Sequence, residues 1–536
     1  MRKQRIAIIG GGIAGLTAAY LLHPKHDIRL FEKSHRLGGN AYTHTLPSGE
    51  QIDIAACVFG FRDGNLLDLL DHVGIKVIRP AASFVSLRNL DDGEGLYIDF
   101  SPRALLAQRL ELLHPKKLWS LWSFYWGVQR GLRARARGEF RDLNMRQALQ
   151  GLGLEGDAHR VVMFGLCLLS SMSHSEILEA PAEFFFDKIK ALRNPYSLRV
   201  LYTLRCAEGN TVSYVNALAA GFLDKVVLSS RIESVSRGAR GVTLRFEGGE
   251  GQDFDSVVFA CNADQALALL EDPTTDEQRL LGSWSYKNGL VVVHNDHSAF
   301  PPKELCQGFT FLYREHEGET ETSVNGACWV LPGVSKSCDY FGSQHPNFPI
   351  REECIDHKVV FRTPIFDKRS TATIAELPSL NGKQGTYFCG SHFGHGLHDD
   401  AVTSAFEVAR LLGGELRQRM GWRSAVRAAA RRVLEKRNES PTMERSLVGK
   451  TVLLTGAAGG IGRALAKRLS QDQGASLILV DRDAEGLSAL ERALDAPDRV
   501  QSHVVELASA VAIESCRSST GTIRHSTSCS QPRVVP

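Results

Sequence analysis

The sequence predicts an α/β chain built on parallel sheets, and three observations carry that prediction. A strand, glycine turn and helix open the chain in "IAIIGGGIAGLTAAYLL" from Ile6. A second such unit, "TVLLTGAAGGIGRALAKRL" from Thr451, stands near its far end. The composition, 43% hydrophobic and 23% charged over 536 residues, is that of folded domains with ample material for a core.

Bulk properties exclude several classes. A net charge of +3 points to no nucleic-acid partner. Eleven cysteines without a C-x-x-C pair argue against a disulfide framework or a zinc site and suit a reducing compartment. No run of about 18 apolar residues exists, so no membrane-spanning helix is expected. The apolar N-terminus is broken by Gly10, Gly11, Gly12 and Gly15, unlike a secretory signal. The expected location is cytoplasmic.

In the first unit, Ile6–Ile9 reads as a buried strand and is followed by G-x-G-x-x-G at Gly10, Gly12 and Gly15. Gly10 permits a tight turn, Gly12 lets backbone approach a pyrophosphate, and Gly15 lets helix pack on strand. Ile13 and Ala14 open the helix, whose free N–H groups face the phosphates. A second strand, Ile28 to Phe31, ends at Glu32, where an acid would accept from ribose hydroxyls. Lys33 follows directly.

"EKSHRLGGNAYT" then sets Arg36, Gly38, Gly39 and Asn40 after the acid. Here the chain resembles the flavin-containing amine oxidase superfamily, in its NAD/FAD-binding amine oxidase-like subgroup, across about residues 1–414. The superfamily's motif ends in arginine where this chain has Asn40. "RIESVSR" resembles the return strand, with Ile232 where a hydrophobic residue contacts adenine. "GTYFCGSHFGHGLHDDAVTSAFEVARLLG" resembles the closing motif, with Gly390, Asp399 and Asp400 in place and Ala401 and Ala405 where glycines are common. The resemblance implies FAD as cofactor and a discontinuous FAD-binding domain of 1–75, 205–265 and 370–414. It implies an inserted α+β substrate domain of 76–204 and 266–369. It also places Leu397 where amine oxidases set a cage tyrosine. Leucine offers no ring quadrupole to a cationic amine, so an apolar substrate is favoured.

No G-x-S-x-G or H-E-x-x-H occurs. Catalytic residues are not assigned. Lys287, by analogy with a lysine that partners a flavin-bound water in relatives, and His294 are the two candidates. His294 and Asp296 would share a strand face, though a surface turn is the plainer reading. His392, His395 and His398 are read as lining the cofactor site, not as metal ligands. "KKLWSLWSFYWGVQRGLRARARG" puts Trp119, Trp122 and Trp126 at i, i+3 and i+7 between basic flanks. Two readings stand: a core helix with a solvated basic end, or a lipid-facing helix, either interfacial on anionic lipid at the inner face of the membrane or at the mouth of a channel for a lipid chain.

Residues 415–445 read as a basic connector. Within 446–507, Gly456, Gly460, Ile461 and Gly462 form T-G-x-x-x-G-I-G, and Asp481 ends a second strand. This resembles the cofactor half of short-chain dehydrogenases, with Glu506 near the adenine on a third strand. Residues 508–536 hold no leucine or aromatic residue and ten Ser or Thr, so a disordered tail is expected. The second half of that fold has no room, and NAD(P) is not expected to be functional there. The leading expectation is an FAD-dependent oxidoreductase taking a hydride from an apolar, fatty-acyl or lipid substrate onto flavin N5. Amine oxidation, flavin-dependent isomerisation and a non-catalytic FAD-binding scaffold are the alternatives. The oligomeric state is left open.

Overall fold

The computed structural model describes residues 2–55, 58–60, 64–78, 84–98, 105–106, 108, 110–192, 205–239, 241–317, 319–416, 450–467, 469–470, 475–481, 483–496 and 498–504. The chain divides into two compact units, Met1–Arg417 and Gln418–Pro536. Most of the expected connector, the expected tail and Glu506 lie outside the described residues.

The first unit is organised by a five-stranded parallel sheet. Its order across the sheet is Thr386–Phe388, Ser256–Phe259, Arg5–Ile9, Asp27–Phe31, Val226–Val227. The central strand is apolar on both faces because both are covered; Ile6, Ala7, Ile8 and Ile9 are all buried. The Ile13–Leu22 helix returns across one face and is itself almost wholly buried. It packs against the helix His398–Leu411, which follows the last strand of the sheet.

A seven-stranded mixed sheet forms the second part of this unit. Its order is Ile355–Pro364, Tyr286–His294, Phe341–Gln344, Glu319–Ala327, Gly308–His316, Phe84–Asn89, Gly95–Ile98. Helices between residues 115 and 192 stand with it, and Phe164 stacks on Phe311 of the sheet at 5.5 Å. An antiparallel sheet of Ile232–Gly238, Gly241–Phe246 and Gly251–Phe254 joins the two parts in one core through Phe31, Leu244 and Phe254.

The second unit has three parallel strands in sequence order, Thr451–Thr455, Ser476–Asp481 and Val500–Val504. Helices Gly460–Lys467 and Ala484–Leu494 complete its described part. Ala466, Leu477, Leu479, Leu487 and Leu490 close a core of modest size.

Candidate cofactor and substrate site

The glycine turn of the first unit has the shape its spacing predicts. Gly10 has φ +110°, and a Cβ there would lie 2.7 Å from the Ala260 carbonyl oxygen. A Cβ on Gly15 would lie 1.9 Å from the Gly10 oxygen, so helix and turn are in contact. Gly12 differs: a Cβ there would meet only the Gly39 Cα, at 4.0 Å. Gly12 is also the N-cap of the Ile13–Leu22 helix and offers no side chain to its free N–H groups. An open cradle at an uncapped helix N-terminus suits a pyrophosphate.

The acid and the second glycine pair lie against this turn. Glu32 is buried; it accepts from Gly11 N at 2.6 Å and Ser34 N at 2.8 Å. Gly38 donates its N–H to the Gly11 oxygen at 2.8 Å. Arg36 donates to the Gly39 oxygen at 2.9 Å and stands over the Tyr42 ring at 3.8 Å, so it holds the turn. Lys33 and Asn40 are exposed beside it. Ser229 and Ser230 donate to the Ser34 and Glu32 oxygens, which brings the strand beginning at Ile232 past the end of the second strand.

The closing turn is held by side chains of its own helix. Gly390 donates to Ser404 Oγ at 2.9 Å, and its φ of +155° reserves the position for glycine. Asp399 accepts from Leu66 N at 2.7 Å, tying this helix to Gly64–His72. Asp400 caps the helix through Leu397 N at 2.8 Å, and burial raises its pKa. Ala401 and Ala405 are buried.

The three histidines of this turn separate onto different partners. His392 lies T-shaped to Trp284 at 5.5 Å, and burial lowers its pKa to about 3. His395 sits 5.3 Å from Phe184. His398 shares a 2.9 Å hydrogen bond with the Tyr214 hydroxyl, its pKa lowered by burial to about 4. Phe366 stacks on Phe184 at 4.7 Å and meets Trp284 at 5.8 Å. Neutral imidazoles and aromatic rings thus wall one side of the turn.

One residue in that wall has no local sequence signal. Lys188, on the helix Ala182–Leu192, is fully buried, and its Nζ has no hydrogen-bond partner among the described residues. Its Nζ lies 5.0 Å from the Phe366 ring centre. Burial lowers its pKa to about 7, against a smaller raising effect of Asp400.

The two catalytic candidates have partners of their own. Lys287 is ion-paired with Glu176. His294 is buried among Phe300, Phe341 and Phe348, and shares a 2.7 Å hydrogen bond with Ser343 Oγ. Asp296 is buried too, held by Arg351 and by Ser298 N. The plainer reading of these residues as a surface turn is therefore corrected. Side chains distant in sequence, Phe341 and Phe348 above all, cover that strand end.

The second unit repeats the first turn's geometry. A Cβ on Gly462 would lie 2.2 Å from the Gly456 oxygen, and Gly456 has φ +69°. Asp481 accepts from Ala458 N at 2.9 Å, as Glu32 accepts from Gly11. Gly460 and Ile461 open the Gly460–Lys467 helix, and their side-chain surroundings lie outside the described residues.

Comparison with known proteins settles the family. The profile of flavin-containing amine oxidoreductases matches residues 13–333, more than half of the chain. The chain belongs to the flavin-containing amine oxidoreductase family. A short-chain dehydrogenase profile matches residues 450–521 of this family member. Tryptophan 2-monooxygenase of Allorhizobium ampelinum is 32% identical over 81 residues, 14% of this chain and 11% of its own. An uncharacterized oxidoreductase of Staphylococcus epidermidis is 47% identical over 53 residues, 10% of this chain and 23% of its own. The chain spans less than a quarter of the length of these curated relatives. Among solved structures, a CLA-producing fatty acid isomerase from P. acnes has a TM-score of 0.53 at 15% identity, covering 76% of this chain and 98% of that one. Cyclohexylamine oxidase from Brevibacterium oxydans has a TM-score of 0.54 at 14% identity, covering 77% and 100%. At such identities the likeness is one of fold.

Proposed function

We propose that the protein is an FAD-dependent oxidoreductase that oxidises an apolar, fatty-acyl or lipid substrate. Residues 1–75, 205–265 and 370–414 would bind the cofactor, with Gly12 and the helix behind it facing the pyrophosphate and Glu32 the ribose. When bound, FAD supplies the acceptor for a hydride and its two electrons. The chain's own groups do the rest. The N-terminus of His398–Leu411 favours negative charge near Ala401. Phe184, Phe366, Trp284 and Leu397 exclude water, and neutral His392 offers a dipole without a charge.

One observation carries the choice of an apolar substrate over an amine. The wall beside the closing turn already contains a buried amine, Lys188, with no hydrogen-bond partner among the described residues. A substrate ammonium placed there would raise the cost of any charge on Lys188, and Leu397 adds no ring to hold it. A neutral carbon chain meets neither difficulty. The solved neighbours include a protein named for a fatty acid and others named for amines, so the fold accommodates both. In the same reading, an anionic membrane surface is where the protein would find such a substrate. The second glycine unit is assigned no step, and NAD(P) no role.

The test is anaerobic. Purified protein, yellow with FAD, is mixed in turn with fatty acids, phospholipids and a panel of primary and polyamines. Bleaching of the flavin by an acyl chain and not by amines supports the proposal; bleaching by an amine alone overturns it. Double-bond migration without bleaching would make the protein an isomerase. A flavin that no compound bleaches or turns over favours a binding scaffold.

A further inference from the structure

The structure separates the two faces of the tryptophan helix, Pro115–Ala136. Its buried residues are Gly127, Val128, Gly131 and Ala134, all in the second half. There the backbone itself touches the core: a Cβ on Gly127 would lie 2.4 Å from Leu154, and one on Gly131 would lie 2.1 Å from Phe186. In the first half Leu121 and Phe124 lean on the core, while the tryptophans face outward. Trp119 is 64% exposed, Trp122 53% and Trp126 39%. Trp119 and Trp122 stack at 4.7 Å, so the rings form one continuous surface. Of fifteen well-exposed large apolar side chains among the described residues, seven fall between Leu106 and Trp126. Leu106, Leu110 and Leu113, which precede the helix in sequence, are exposed as well. Such clustering is not scatter, and contiguous exposed patches mark interaction surfaces.

Charge decides what the patch meets. The helix carries Lys116, Lys117, Arg130, Arg133 and Arg135 and no acidic residue. Arg135 is neutralised by Glu183 and Asp187, and Lys117 is paired with Glu111. Lys116 and Arg133 are exposed, with Arg130, at either end of the aromatic strip. Tryptophan is suited to the boundary between headgroups and acyl chains, and lysine and arginine reach back to phosphates. No described helix is long and apolar enough to cross a membrane.

We propose that Pro115–Ala136 is an interfacial anchor that seats the first unit on an anionic bilayer. Trp119, Trp122 and Trp126 enter the headgroup region, and Lys116, Arg130 and Arg133 meet lipid phosphates. The close glycine contacts hold the second half of the helix to the core of the first unit, so helix and core dock together. The proposal deepens the lipid reading and rests on it only for the reason to be at a membrane; docking needs no turnover.

The experiment is co-sedimentation of the full-length holoprotein with phosphatidylcholine vesicles, with and without phosphatidylglycerol. Binding is expected with phosphatidylglycerol, falling at least tenfold at about 1 M salt, where the Debye length is about 3 Å. Brominated lipids should quench the wild-type tryptophan fluorescence, a readout that requires no variant to fold. Lys116→Glu with Arg133→Glu should lower partitioning by on the order of tenfold or more while flavin content stays unchanged. Trp119→Ala, Trp122→Ala and Trp126→Ala together should abolish it. Absence of vesicle binding overturns the proposal, as does binding that survives the triple replacement. A wild-type dimer that the triple replacement makes monomeric, without vesicle binding, would assign the patch to a second copy instead. If vesicles bind but no lipid bleaches the flavin, the anchor stands and the substrate reading falls.

Discussion

Two glycines three residues apart do opposite jobs, and the difference is measurable. Gly12→Val should leave the fold intact, because among the described residues beyond its chain neighbours the nearest atom to the new Cβ is Gly39 Cα, at 4.0 Å. It should purify colourless, since the side chain would fill the space assigned to the pyrophosphate. Gly15→Val should fail before any cofactor arrives, with its Cβ 1.9 Å from the Gly10 oxygen. A cost of about 1–3 kcal/mol or more is expected, read as a fall in Tm. Full flavin occupancy in Gly12→Val would remove the site assignment. Lys188 gives a second test. Its folded pKa of about 7 lies below its ordinary 10.5, so the folded state holds fewer protons than the unfolded between those values. Stability from this group is therefore lowest below pH 7 and rises towards pH 10. Lys188→Met should raise stability by on the order of several kcal/mol at pH 6, and the gain should shrink as pH rises to 10. Denaturant midpoints of the two proteins across that range decide it; a constant difference would show that Lys188 is not buried as a free amine.

Elements formed by neighbours in sequence were legible, and those formed by distant partners were not. The strand, turn and helix at Arg5–Leu22 could be read because Gly10, Gly12 and Gly15 act within one turn of chain. The acid position was legible for the same reason, since Glu32 ends the adjacent parallel strand. The wall of the closing turn was hidden. Phe184, Lys188, Trp284 and Phe366 come from three separate stretches, and none carries a spacing that betrays the others. For the tryptophan helix, the i, i+3, i+7 pattern marked one face without saying which way it points. That was decided by Gly127 and Gly131, which let the opposite face press on Leu154 and Phe186. Hence Gly131→Val should destabilise the first unit by about 1–3 kcal/mol in denaturant unfolding. Replacing exposed Trp119 by Ala should change that midpoint little.

At the scale of the whole molecule, the first unit holds every group to which the proposed reaction is assigned. A chain ending at Glu439 should keep its flavin and its Tm, and NADH should not reduce the flavin of the full-length protein. Reduction by NADH in the full chain alone would give the Thr451 unit a function. The five-stranded sheet also has a history in time. Its strands come from residues 5–31, 226–259 and 386–388, so its edge is not complete until residue 388 has been synthesised. At about 5–20 residues per second, the Arg5–Ile9 strand waits on the order of tens of seconds for its last neighbours. During that wait its apolar face needs a temporary cover on the ribosome. The Thr451–Val504 strands are contiguous and can pair within seconds of emerging. The nascent chain that most needs a chaperone is therefore the first unit, not the shorter one behind it.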